Sequence, residues 1–156
     1  MTRTKEDRRT YALPGVGTLR LEGFFSRSAT AEADGRSWRL ARRGLLGRRF
    51  EATDATGTVV GSFEPRSVRR GGALRWFGRE LALRPASAWR ERYALADGGD
   101  ELAILDGRGW GRRPVKVSIE SSSVEPGLVL FAAYVVRGLA EDASGAAAGA
   151  SSAAAG

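Results

Sequence analysis

The chain has no cysteine and no histidine. The first absence excludes disulfides, thiol nucleophiles and thiolate metal sites. The second excludes catalysis that depends on an imidazole. Lysine is almost missing too: of the 25 cations, all but Lys5 and Lys116 are arginine. No long apolar run is present. The longest, Leu128–Val136, falls well short of the ~18–20 residues that span a bilayer as a helix. Met1–Thr10 is charged throughout and lacks the apolar core of a secretory signal. These features predict a cytoplasmic protein with no transmembrane segment.

What is present is enough for one domain. The chain has 156 residues, 42% of them hydrophobic and 28% charged, and a net charge of +7. It is long enough to bury a single core. Residues 1–10 read as a flexible, solvated arm. Residues 143–156, ASGAAAGASSAAAG, form a low-complexity Ala/Gly/Ser tail expected to be disordered. Between them lies one folded unit, 11–142.

Most of that unit carries strand signals. Thr18–Phe24 alternates polar and apolar residues. Asp34-Gly35 is a two-residue hairpin signal between Ser28–Ala33 and Ser37–Arg42. Arg49–Thr53 enters a tight turn at Asp54–Gly57, and Thr58–Glu64 follows before Pro65. Further runs are Ala73–Phe77, Arg79–Arg84, Ala88–Leu95, Glu101–Leu105 and Val115–Glu120. About nine strands are expected from this spacing. The pattern then changes once. Pro126 suits the first turn of a helix over 126–142, in which Leu128–Val136 is apolar on every side. Such a helix must be enclosed on every side. The fold expected is therefore mainly β: a closed or nearly closed antiparallel barrel around a buried hydrophobic C-terminal helix. The rival is a pleckstrin-homology-like barrel capped by a helix, which needs a polar helix face that this segment lacks.

The hairpin Phe50–Gly61, the later strands and the terminal Pro126–Phe131 segment together resemble the tubby-like superfamily. That group includes tubby C-terminal domains, LURP-one-related proteins and phospholipid scramblases. The resemblance implies a barrel of about twelve strands around a central hydrophobic helix. It also implies binding to phosphoinositides or other anionic headgroups through basic surface residues. It implies no scrambling activity, because the cysteine-rich and calcium-binding features of scramblases are missing.

The candidate binding residues are the arginine doublets Arg42-Arg43, Arg48-Arg49, Arg69-Arg70 and Arg112-Arg113, each beside an expected turn. A guanidinium fork binds phosphate bidentately. The same doublets also fit composition alone, since abundant Arg, Ala and Gly with almost no Lys is typical of a GC-rich coding sequence. Arg42–Arg49 is a mirror image, RRGLLGRR. As a hairpin tip it would offer Leu45 and Leu46 to a membrane between cations. As a strand it would turn one leucine to the core, and this is the preferred reading.

Other chemistries are weaker. Gly107–Gly111 is glycine-rich, but Pro114 and a strand follow rather than a phosphate-binding helix. It reads as a turn in which Trp110 covers a barrel end. Asp97, Asp100, Glu101 and Asp106 lie near a hairpin turn without the spacing of a calcium loop. No nucleophile, base and orienting group occur together, so no enzymatic activity, cofactor or metal is expected. Trp38, Trp76, Trp89, Trp110, Tyr93 and Phe77 lie among arginines, as in single-stranded nucleic-acid-binding barrels. Strand alternation places such aromatics inward, which counts against nucleic acid. The sequence thus points to a non-catalytic binding or scaffold module. Its expected partner is an anionic membrane surface, contacted peripherally, or another protein.

Overall fold

The computed structural model describes residues 2–3, 9–22, 27–45, 48–66, 71–87, 91–107 and 115–153, with side chains for those from 9 to 145. The strands are β1 (Thr2–Arg3), β2 (Thr10–Leu13), β3 (Gly17–Glu22), β4 (Ser28–Ala33), β5 (Arg36–Arg43), β6 (Arg49–Thr53), β7 (Val59–Phe63), β8 (Gly72–Trp76), β9 (Arg79–Pro85), β10 (Arg92–Asp97), β11 (Asp100–Asp106) and β12 (Lys116–Ile119). They form one 12-stranded antiparallel sheet in sequence order. The sheet curls into a nearly closed barrel, and helix α1 (Pro126–Ala153) enters it.

Secondary structure reaches into both ends of the chain. Within the expected arm, Thr2 and Arg3 pair with Ala12 and Tyr11. The tail expected to be disordered from 143 is helical to Ala153, because α1 is already nucleated inside the barrel and its alanines propagate it. The strand count also exceeds the nine expected. β2 is hard to see in the sequence because only three residues separate the charged arm from Pro14, yet Tyr11 and Leu13 both point into the core.

Most strands bury every second residue, as a sheet with one wet face must. β5 shows it plainly, with Trp38 and Leu40 buried and Ser37 and Arg39 exposed. A barrel of this many strands leaves a lumen too wide for its own side chains, and a helix ~10 Å across fills it. Leu128 through Val136 are each at most 1% exposed. The helix is therefore enclosed, not laid across an open end as in the pleckstrin-like alternative. It lies close to β3 and β4, where the small inward residues Ala29, Ala31 and Ala33 let it approach. Aromatics fill the lumen elsewhere. Trp76 stacks on Phe131 at 5.7 Å, and Phe50 meets Tyr134 edge-on at 5.8 Å.

Two helix glycines are set by this packing. A Cβ on Gly127 would stand 2.7 Å from Trp38 and 2.8 Å from Trp76. One on Gly138 would stand 2.5 Å from the Phe50 ring. Hydrogen bonds fasten both ends of the buried segment. The Trp76 indole donates to the Glu125 carboxylate at 2.9 Å, and the Tyr134 hydroxyl donates to the Arg27 carbonyl at 2.8 Å. Burial pushes the Tyr134 phenol far above its ordinary pKa.

Because the strands follow one another in order, their connections alternate between the two ends of the barrel. The tight turns, among them Asp34-Gly35, Asp54–Thr58, Phe77-Gly78 and Gly98-Gly99, gather at one end. α1 starts there. The β3–β4, β5–β6, β7–β8, β9–β10 and β11–β12 connections leave from the other end, where the helix emerges.

Candidate anion interface

The candidate site lies at the helix-exit end, in the β5–β6 connection. β5 closes with Arg42 and Arg43. Gly44 then turns with φ of 80°, a left-handed conformation that glycine adopts without strain. Leu45 follows and is 93% exposed. The preferred strand reading of 42–49 is thus overturned at its centre. A strand needs ladder partners and an inward face, and the chain is already reversing at Gly44. Leu46 and Gly47 lie outside the described residues.

The four arginines around this tip play different parts. Arg42 faces the helix rather than the solvent, its side chain only 9% exposed. Its guanidinium lies 5.0 Å from the Phe50 ring centroid and donates to the Asp142 carboxylate at 2.6 Å. That makes it a tie between β5 and α1, and it leaves the candidate set. Arg43 and Arg49 stand directly opposite each other in the ladder. Like charges so placed repel, and Glu51 relieves them, 3.1 Å from Arg49 and 3.8 Å from Arg43. Both arginines stay exposed, as does Arg48. The interface therefore comprises Leu45 at the tip with Arg43, Arg48 and Arg49 at its base. Arg69, Arg70, Arg112 and Arg113 lie outside the described residues.

Other cations stand at the same end without forming doublets, and the sequence reading passed over them. Arg27, Arg66, Arg92 and Lys116 are exposed near the ends of β4, β7, β10 and β12. Counting which connections share an end would have found them. Several carboxylates here are half-buried and engaged: Glu22 accepts from the Thr30 hydroxyl, Glu91 from the Tyr93 hydroxyl, and Glu141 pairs with Arg137. The cations are turned to solvent, and so are Glu64 and Asp142, the latter paired with Arg42.

The remaining sequence candidates separate. Asp97 and Asp100 flank the β10–β11 turn, while Asp106 lies at the far end of β11, so the carboxylates do not converge. Asp97 is held by Arg79. Among the described residues no group of three metal-ligating side chains occurs. Trp38, Trp76 and Tyr93 point inward as expected, whereas Phe77 is 52% exposed, because it follows inward Trp76 directly. Gly107 packs on Val136; the remainder of the glycine-rich loop, with Trp110, and Trp89 lie outside the described residues.

No helix of the described residues is long and apolar enough to cross a membrane. No family model, curated protein or solved structure matches the chain.

Proposed function

We propose that the protein is a non-catalytic binding module of the tubby-like kind, whose helix-exit end engages an anionic lipid surface. The observation that carries this reading is Leu45, an almost fully exposed leucine on a loop with exposed Arg43, Arg48 and Arg49 at its base. A leucine held in water gains by entering a membrane's acyl boundary. Cations beside it meet headgroup phosphates, each contributing about 1 kcal/mol near an anionic leaflet. A twelve-stranded barrel around a buried helix is the architecture that the tubby-like resemblance implies, which supports the reading.

Vesicle flotation tests it. The protein should float with phosphatidylserine-containing vesicles and stay behind with pure phosphatidylcholine. Arg48→Glu with Arg49→Glu should weaken partitioning at least tenfold, at about 1 kcal/mol per lost contact. Leu45→Ser should weaken it with the charges left intact. Equal recovery on neutral and anionic vesicles, or no loss in the double variant, overturns the proposal.

A further inference from the structure

The end of the barrel opposite the arginines has the contrary character. Its tight turns carry Asp34, Asp54, Asp97 and Asp100, and Glu32, Glu101 and Glu120 stand exposed beside them. Of the cations there, Arg79 pairs with Asp97 and Arg75 with Glu80, and Arg36 stands exposed beside Asp34; Asp100, Glu32, Glu101 and Glu120 leave acid in excess among the described residues. This end also exposes apolar surface. Phe77 is 52% and Val59 51% exposed, and the Phe77 amide donates to the carbonyl of Val60, the residue after Val59, at 2.7 Å. Phe77 holds this place with a φ of 47°, a conformation costly for a bulky side chain.

From these two ends we infer that copies of this chain associate head to tail. The acidic turn end of one molecule, with Phe77 and Val59, receives the arginine end of the next, with Leu45. Each end offers one exposed apolar feature within charges opposite in sign to those of the other. Charge complementarity steers such encounters and rejects like ends. The complementary surfaces lie at opposite ends of one barrel. The contact is therefore heterologous and leaves a free end on each side, giving short open chains rather than a closed dimer. The inference uses the arginine end in the sense proposed above, as the end that receives anions, but it names a protein surface as a second anion.

Sedimentation equilibrium of the full chain at low and high salt tests it. At low salt the weight-average mass should rise with concentration above the monomer's 16.7 kDa and return to it at high salt, where screening removes the attraction. Two variants separate the ends. Arg48→Glu with Arg49→Glu blocks the basic end. Asp34→Asn with Asp100→Asn blocks the acidic end, and asparagine tolerates the left-handed turn position of Asp34. Each variant alone should be monomeric, with circular dichroism unchanged. Mixed, they should form one-to-one pairs and nothing larger, because each supplies the end that the other lacks. A monomer at every concentration in low salt overturns the inference, as does a mixture that stays monomeric. The acidic-end variant should still float with anionic vesicles. A wild-type chain that floats but never self-associates removes this inference and leaves the lipid reading standing. Self-association without flotation does the reverse.

Discussion

At the scale of single residues, the barrel is most sensitive where glycine lets two surfaces meet. Gly138 and Gly145 lie on one helix and differ in surroundings: Phe50 presses on the first, and nothing lies within 4 Å of the second. Alanine gains about 1 kcal/mol over glycine in a helix, while overpacking a core costs about 1–3 kcal/mol. Gly138→Ala should therefore lower the melting temperature, and Gly145→Ala should raise it slightly. Opposite shifts in thermal denaturation are the check. Arginines divide in the same way. Asp142→Ala removes the carboxylate that accepts from Arg42, whose side chain is only 9% exposed beside Phe50, and should cost about 1–3 kcal/mol in urea unfolding. Arg43→Ala, on an exposed side chain, should cost about 0.5 kcal/mol or less. Equal losses would mean that Arg42 is not a structural tie. The doublet RR is one sequence motif with two fates, and only the strand's inward and outward alternation tells them apart.

At the scale of elements, α1 is the part that the rest surrounds. Its all-round apolar surface is enough to predict enclosure, and the Asp34-Gly35 and Asp54–Gly57 turns with the alternating runs between them predict the sheet around it. Phe131 stacks on Trp76 at the heart of the lumen and is fully buried. Phe131→Asp places there a carboxylate with no water and no partner. No soluble folded protein should result, and a soluble variant with unchanged circular dichroism and melting temperature would contradict the enclosed-helix account. Where element boundaries differ from those the sequence predicts, long-range packing is responsible. β2 is four residues long and gains its identity from pairing with β3. The helix continues past Asp142 through Ala/Gly/Ser sequence because the enclosed turns before it have already met the cost of nucleation.

At the scale of the whole molecule, charge among the described residues is unevenly placed along the barrel axis. Beneath the net charge of +7, their exposed carboxylates are concentrated at the turn end and exposed cations at the helix-exit end. Lipid binding through the basic end should depend on screening: recovery on anionic vesicles should fall steadily as salt rises from about 0.05 to 0.5 M, over which the Debye length shrinks below ~10 Å. Leu45→Ser should lower recovery without flattening that dependence. Periodicity and turn chemistry were sufficient for a mainly β barrel around a buried rod, because both are written in neighbouring residues. The assignment of partners was not legible in the same way. Whether Arg42 faces Asp142 or a headgroup, whether Leu45 faces the core or water, and which turns share an end depend on how strands far apart in sequence close on one another. Local pattern says which side chains must be hidden. Only closure of the barrel decides which charges remain outside, and at which end.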